Sequence, residues 1–356
     1  MAKESNRILY IDILRVISVF AVVLLHISAS FVVDINANGI KWWWIGNIID
    51  SATRWSVPVL ILISGQLMLD KSREEEIVPF LRKRLTKIFI PLITWSFIYM
   101  LWVNRLNIQW NADLILSFLK NFYLGKVHIH LWYLYMIFGL YLVTPILRPY
   151  VNNAKKDNLV YFIVVWFISN GIIGFSQKFT EYTLAFNLSF FHWGIGFYLL
   201  GFYLSKYSLS KKQRKLLYFL GFLGLIVTIY GTYILTKNNG GIFVPHLYSN
   251  YAPNVMFTAI AIFELFKNIN WHRIIGDNKI IKRIISSISK TSFGIYLVHL
   301  LILNIISSGV LGIAIDAASF NPIIGIPLVS VITFILSHFI VMILQKIPLL
   351  NIIVPK

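Results

Sequence analysis

The chain has 356 residues, of which 58% are hydrophobic and 13% charged, and its mean hydropathy is +0.73. Soluble domains have about 45–50% apolar and about 25% charged residues, so the composition excludes a soluble enzyme, a disordered chain and a small secreted domain. The absence of cysteine excludes disulfides, thiolate metal sites and a cysteine nucleophile. The net charge of +18 is interpreted as membrane orientation rather than nucleic-acid binding, because lysine and arginine in short loops set topology.

Ten apolar stretches follow one another along the chain, and most have the length of about 20 residues that one membrane crossing needs. They cover residues 8–33, 45–68, 87–104, 130–150, 158–176, 184–205, 215–236, 252–268, 291–308 and 322–346. Segment 112–124 is too short to span and predicts an interfacial or re-entrant helix. We therefore expect an all-α integral membrane protein, a bundle of about ten transmembrane helices forming a single domain over residues 1–356.

Lysine and arginine are unevenly divided between the two sides of this bundle. With these spans, 24 of the 32 lie on the side of the two termini and six on the other side. Cytoplasmic loops carry the excess of such residues, so both termini are predicted to be cytoplasmic, in a multi-pass protein of the plasma membrane. The first span is too long and too often interrupted by charge for a removable signal peptide. Frequent Ile, Lys and Asn suggest a bacterial genome.

The first span contains three ionisable residues, Asp12, Arg15 and His26. Such residues are costly at membrane depth, so they mark candidate functional sites. On an α-helix they lie within about 60° of Arg15, as do Ser18 and Ser30, and form one polar stripe predicted to face the bundle interior. Asp12 and Arg15 are equally compatible with a structural ion pair. Helix packing gives no reason for His26, which we interpret as functional.

The second span contains Asp50 and Arg54, four residues apart and close to the predicted depth of His26. An acid, a guanidinium and an imidazole therefore converge there, unless Asp50 and Arg54 form a structural ion pair near the interface.

A basic cluster, defined as Arg82, Lys83, Arg84 and Lys87, precedes the third span. On sequence alone, retention on the cytoplasmic side and contact with anionic lipid are favoured. The alternative is a phosphate clamp at a helix start.

The other histidines carry a weaker signal. His192, His299 and His338 are predicted to be packing residues within spans. His128 and His130 have the spacing of metal ligands, but no nearby partner supports a metal, and none is predicted.

The string Tyr10–Arg15, followed after ten residues by His26, resembles the opening of the membrane acyltransferase-3 family, whose hallmark is a basic residue, ten residues and a histidine. Four later passages also resemble this family, in order along nearly the whole chain. They are Arg54–Pro58 leading into Ile63-Ser64-Gly65, Phe80–Lys87 ending in Ile90-Pro91, His130–Tyr135 leading to Thr144–Arg148, and Ser292–His299.

The resemblance implies a ten-helix bundle that transfers an acyl group, usually acetyl from acetyl-CoA, to a hydroxyl of an extracytoplasmic glycan. It implies that His26 is the catalytic histidine, Arg15 its paired basic residue and the basic cluster the cytoplasmic CoA entrance. In the branch that acetylates peptidoglycan and lipopolysaccharide, two glutamates stand where this chain has Ile137 and Phe138. The chain also lacks a fused esterase-like domain, so it is expected to be similar to the stand-alone branch.

The expected function is an integral membrane O-acyltransferase that uses cytoplasmic acyl-CoA and a cell-surface polysaccharide or glycan. His26 would be the general base, Arg54 would stabilise the oxyanion and Asp12 would be a further catalytic residue, with Asp50 or Asp12 orienting a charged partner. The expected substrate-binding residues are Asp50, His130 and Trp132, and the basic cluster would hold the CoA phosphates.

Two alternatives stay open at this point. An acyl-histidine intermediate would replace direct transfer. A flippase or small-solute transporter would use the buried charges as a substrate path, and only the acyltransferase would need CoA. The acceptor, the acyl group and the oligomeric state are left open by the sequence.

Overall fold

The computed structural model describes residues 2–70, 75–106, 111–180, 192–310, 312 and 314–356, with side chains from Leu9 onward. Within these ranges every named element is helical, and an isolated bridge between Asp34 and Ile242 is the one β-type pairing. The all-α architecture predicted from the composition is confirmed.

Fifteen helices follow one another along the described chain. In order they are α1 (Ala2–Val32), α2 (Ile35–Asn38), α3 (Ile40–Ser51), α4 (Ser56–Met68), α5 (Ile77–Asn104), α6 (Ala112–Tyr123), α7 (Trp132–Asn153), α8 (Lys156–Phe167), α9 (Trp193–Lys206), α10 (Lys211–Ile226), α11 (Thr232–Asn238), α12 (Pro253–Asn268), α13 (Trp271–Ile275), α14 (Lys279–Ser307) and α15 (Pro322–Leu344). A π-helical turn, Ile168–Gly174, prolongs α8, and another, Val227–Gly231, joins α10 to α11.

Eight segments of the described chain are long and apolar enough to cross a membrane. They are Leu9–Val32, Ile40–Met68, Ile77–Asn104, Trp132–Asn153, Lys156–Gly174, Lys211–Asn238, Lys279–Ser307 and Pro322–Leu344. Two other predicted spans correspond to shorter helices, α9 with 14 residues and α12 with 16. Residues 184–191 of the predicted sixth span lie outside the described residues. Ten crossings therefore stay a prediction.

Two helices begin well before the apolar stretch from which they were predicted. Helix α5 begins at Ile77 rather than at 87, and α14 at Lys279 rather than at 291. Apolarity marks only the part of a helix surrounded by hydrocarbon, while long basic side chains extend a helix into the interfacial layer. The basic cluster therefore lies inside α5 and not in a loop.

The predicted short helix is confirmed at Ala112–Tyr123, where the Asn111 side chain accepts a hydrogen bond from the backbone N–H of Leu114. Its large apolar side chains Ile115, Leu116 and Leu119 are exposed on the protein surface. An amphipathic helix of this kind agrees with an interfacial position.

The apolar run over residues 45–68 predicts one continuous helix, but the second span is broken. Helix α3 ends at Ser51, α4 begins at Ser56, and a turn over residues 52–55 separates them. The Thr53 hydroxyl donates to the carbonyl of Asp50 at 2.9 Å, and the Trp55 indole N–H donates to the carbonyl of Ala52 at 2.6 Å. These bonds satisfy carbonyls that the break frees, as backbone at membrane depth requires.

Helix α1 lies at the centre of the bundle and contacts α3, α4, α12, α14 and α15. Its interior face includes Leu14, Ser18 and Val22, all nearly inaccessible to solvent. Ser30 is exposed, so the prediction that the polar stripe faces inward along its whole length was wrong at its outer end. Near that end the interior face of α1 is occupied instead by the buried ring of Phe31.

Helices α4 and α9 cross at very close distance because each has a glycine that faces the backbone of the other helix. A Cβ atom added to Gly65 would clash with the carbonyl of Tyr198, and one added to Gly201 with the carbonyl of Leu62. Small residues at membrane helix contacts permit this approach. The contact fixes α4, and with it the break that precedes it, against the bundle.

We expect Gly201→Ala to lower the thermal unfolding temperature of the purified protein, because overpacking costs about 1–3 kcal/mol. The matched control is Gly139→Ala in α7, where an added Cβ meets no atom within 4 Å. This control should be neutral or stabilising, since alanine favours helix over glycine by about 1 kcal/mol. Equal unfolding temperatures for the two variants would contradict the close crossing.

Candidate active site

A cavity of about 310 Å³, termed the cationic cavity, opens at the end of the bundle where α5 and α14 begin. Arg15, Arg84, Lys87, Lys290 and Lys356 contribute to its lining, and no acidic side chain is among the described residues that line it. This is the end that the charge distribution predicts to be cytoplasmic. Such a concentration of cations suits a polyanionic ligand.

A second cavity of about 400 Å³, termed the histidine cavity, lies toward the other end of the bundle. His26 of α1, Arg54 from the break in the second span and His130 line it together with Trp132 and Trp193. The rings of the two tryptophans are 5.7 Å apart. This cavity therefore combines titratable groups with broad aromatic surfaces.

Tyr296 of α14 is the one residue that lines both cavities in the described structure. Its hydroxyl donates a hydrogen bond to the carbonyl of His130, and its ring lies 5.1 Å from the ring of Tyr133. Tyr133 lines the cationic cavity, whereas His130 lines the histidine cavity. Tyr296 therefore forms part of the wall that separates the two spaces.

The polar stripe of α1 connects the two cavities, since Arg15 lines one and His26 the other. Arg15 lies 3.7 Å from Asp12, and the hydroxyl of Ser289 joins them, accepting from Arg15 at 3.1 Å and donating to Asp12 at 2.6 Å. The ion pair that the spacing of Asp12 and Arg15 allowed is present, and Arg15 also faces a cavity. Asp12 does not line either cavity and holds Arg15 in place through Ser289.

His26 lies in a cluster of histidine rings that the sequence did not predict. His299 lies 5.2 Å from it and His130 6.5 Å, and the rings of His130 and His128 are 4.9 Å apart. Burial lowers the pKa of His128, which precedes the span beginning at Trp132, to about 4, so this ring is neutral at physiological pH. In the described part of the chain, no group of such residues has the arrangement of a metal site.

Two other histidines have structural roles of their own. His192 is exposed and caps the start of α9, where its side chain accepts from the N–H of Gly194 at 3.3 Å. Residues 181–191 before it lie outside the described residues, so its place within a span stays a prediction. His338 lies within α15, as predicted, and its Nδ1 is 2.7 Å from the hydroxyl of Thr291.

Asp50 and Arg54 form a close ion pair of 2.5 Å at the break between α3 and α4. The Asp50 side chain is fully buried, whereas Arg54 is 19% exposed and reaches the histidine cavity. The Arg54 guanidinium also stacks 4.0 Å from the ring centroid of Tyr248, whose hydroxyl donates to the Asn47 side chain at 2.6 Å. Arg54 is thus a fixed cation at the cavity wall. Asp50 holds it there through the ion pair and does not line the cavity itself.

The basic cluster divides into two pairs. Arg84 and Lys87 line the cationic cavity. Arg82 and Lys83 are exposed outside it, and Lys83 forms an ion pair of 3.1 Å with Glu75. Lys290 of α14, which the sequence marks only as one of the lysines that set the orientation, lines the same cavity.

Comparison with known proteins adds one decisive match. The family model described as an acyltransferase domain, acyltransferase 3, matches residues 8–342. The chain belongs to the acyltransferase-3 family. It is a membrane acyltransferase, and all the groups described above except Lys356 fall within the matched residues. No curated protein and no solved structure matches this acyltransferase.

We expect Arg54→Leu to destabilise the acyltransferase by about 3–5 kcal/mol, because it leaves a buried carboxylate without its cation. The double variant Asp50→Asn/Arg54→Leu should recover part of that loss, since it removes the uncompensated charge. Thermal unfolding in one detergent measures both. A double variant that is no more stable than Arg54→Leu would show that the pair is not a buried ionic interaction.

Proposed function

We propose that this acyltransferase moves an acyl group, usually acetyl, from cytoplasmic acyl-CoA to a hydroxyl of an extracytoplasmic glycan or polysaccharide. The observation that carries the proposal is the pair of cavities. A cationic space and a space with a histidine and aromatic walls lie on opposite sides of Tyr296. A donor that enters from one side and an acceptor that enters from the other would meet at this residue.

The cationic cavity fits the nucleotide end of acyl-CoA, which carries several phosphates. Arg84 and Lys87 approach from α5, Lys290 from α14 and Arg15 from α1. Charge-assisted hydrogen bonds to phosphate are among the strongest that a protein forms. The slender pantetheine arm would then extend along α1 from Arg15 toward His26, which lie about 16 Å apart along the helix axis.

The histidine cavity fits a sugar acceptor. Trp132, Trp193 and Tyr251 offer flat apolar faces on which the C–H faces of a sugar ring can pack, and Ser249 and Asn250 offer hydrogen-bonding groups. Of the expected substrate-binding residues, His130 and Trp132 line this cavity, while Asp50 acts through Arg54.

The chemistry requires one base and one cation at the point of meeting. His26 would take the proton of the acceptor hydroxyl, whose oxygen attacks the thioester carbonyl. Arg54, which lines the same cavity, would stabilise the oxyanion of the tetrahedral intermediate. When the intermediate collapses, the C–S bond breaks and His26 returns the proton to the CoA thiolate. In the acyl-histidine variant, His26 itself attacks the thioester and CoA leaves before the acceptor reacts.

The alternative function is transport of a glycan or small solute. The break in the second span and its buried ion pair support it, because discontinuous helices and buried charges are typical of transporter binding sites. A transporter would not consume acyl-CoA, so turnover of this donor separates the two functions. In both cases we propose a plasma-membrane protein with cytoplasmic termini, in accord with its charge distribution.

We expect purified wild-type protein in detergent to release CoA from acetyl-CoA. His26→Ala should lower kcat at least about 100-fold, the lower end of what a general base contributes. His338→Ala is the control, since this histidine lies on α15 and lines neither cavity. A His26→Ala protein with wild-type turnover would refute the mechanism. Wild-type protein that neither binds nor cleaves acyl-CoA would favour transport.

We expect the double variant Arg84→Gln/Lys87→Gln to raise KM for acetyl-CoA at least about 10-fold, because each lost charged hydrogen bond is worth about 1.5–3 kcal/mol. The matched control, Arg82→Gln/Lys83→Gln, removes the same charge from the same helix outside the cavity and should leave KM within about twofold of wild type. Equal effects of the two double variants would assign the donor to the general surface charge instead of the cavity.

A further inference from the structure

His299 is fully buried within α14 and uses only one of its two ring nitrogens. Its Nδ1 lies 2.7 Å from the carbonyl of Tyr296 and 3.2 Å from the carbonyl of Ile295. Carbonyl oxygens only accept hydrogen bonds, so Nδ1 carries the hydrogen and Nε2 of the neutral ring has a lone pair. Among the described residues, this buried Nε2 has no hydrogen-bond partner.

A buried acceptor without a partner costs about 1–3 kcal/mol, and an apolar side chain of similar size would avoid that cost. Nothing in the packing of α14 calls for an imidazole, because the backbone carbonyls of Tyr296 and Ile295 already take part in a helix. The lone pair of Nε2 therefore indicates that His299 has a function beyond stabilising the fold.

Two other histidine rings lie beside His299, and one of them is already engaged. His130 has its Nδ1 2.9 Å from Nδ1 of His128 and its Nε2 3.4 Å from the carbonyl of Leu297. His26 lies closer, with ring centroids 5.2 Å apart and ring planes at 40°. The two rings are not hydrogen-bonded as they stand, but at this separation a turn of the His26 ring brings one of its nitrogens within hydrogen-bond reach of Nε2 of His299. Of the two, His26 is thus the partner that Nε2 of His299 can serve.

We propose that His299 is the positioning residue for His26. Once the His26 ring turns toward it, Nε2 of His299 accepts the N–H of one His26 nitrogen, and the other His26 nitrogen is thereby held as the base that faces the histidine cavity. This inference rests on the proposed acyl transfer. In a serine hydrolase triad, a buried carboxylate positions the catalytic histidine. Here the neutral imidazole of His299 would have that role, and burying it costs less desolvation free energy than burying a carboxylate.

The hydrogen bond between His26 and His299 would also stabilise the positively charged form of His26 that arises during the reaction. When His26 takes the proton of the acceptor hydroxyl, the resulting imidazolium keeps its hydrogen bond to Nε2 of His299, which is stronger to a charged donor. The proton stays on His26 and leaves with the CoA thiolate, so His299 neither gains nor loses one. Its backbone hydrogen bonds fix its tautomer throughout.

The test compares three purified variants with wild type in acetyl-CoA hydrolysis, with water as the acceptor. His299→Phe removes both nitrogens and should lower kcat at least about 10-fold, part of the range of proton-transfer catalysis, with KM for acetyl-CoA unchanged. His299→Gln places an amide near the position of Nε2 and should recover much of kcat. His338→Phe is the matched control on α15 and should resemble wild type.

Each outcome has a distinct meaning. Wild-type kcat in His299→Phe, a higher KM with unchanged kcat, or His299→Gln no better than His299→Phe would each overturn the positioning role while leaving acyl transfer intact. Absence of turnover in wild type would instead refute the proposed function itself. If His299→Phe does not fold, the kcat of His299→Gln relative to His26→Ala decides, because a positioning residue with a substitute acceptor retains activity well above that of His26→Ala.

Discussion

Polar groups inside a bundle surrounded by hydrocarbon have to find their partners within the protein, and this constraint organises the structure around α1. Asp12 and Arg15 are joined to α14 through Ser289. Asp50 is buried only because Arg54 neutralises it from the next turn of chain. Each of these pairs connects a cavity wall to the bundle core, so the same interactions that make the charges tolerable also hold the cavity residues in position.

The wall between the cavities depends on the same need for internal partners. The Tyr296 hydroxyl donates to the His130 carbonyl, which lies outside the helices, and the backbone carbonyl of Tyr296 accepts from His299. One turn of α14 therefore supplies both the partition and the proposed support for His26. In the proposed mechanism, a passage between the two spaces would require this turn or the Tyr296 side chain to move, so access of the donor would be linked to the geometry of His26.

The family match and the site geometry answer different questions. Membership of the acyltransferase-3 family establishes the class of reaction and accounts for nearly the whole chain. The donor, the acceptor and the role of each residue rest on the shapes and charges of the two cavities. Two different faces of α5 carry the basic cluster. Arg84 and Lys87 are on the face that lines the cationic cavity, and Arg82 and Lys83 are on an exposed face. A basic cluster that looks uniform in sequence thus has one half that lines a cavity and another half that is solvated.

The sequence alone determined the membrane class, most of the helices and the common face of Arg15 and His26, because apolar runs and helical periodicity are local properties of the chain. It also indicated the family, because the order of the motifs along the chain can be recognised without knowing which residues are in contact. Only the tertiary structure brought His299 beside His26, Lys290 into the same cavity as Arg84, and Tyr296 between the cavities, because these residues are far apart in sequence and meet through helix packing. The break at residues 52–55 could not be predicted from the sequence either, because the apolar run continues across the break. The side-chain hydrogen bonds that stabilise the break form only in the folded chain.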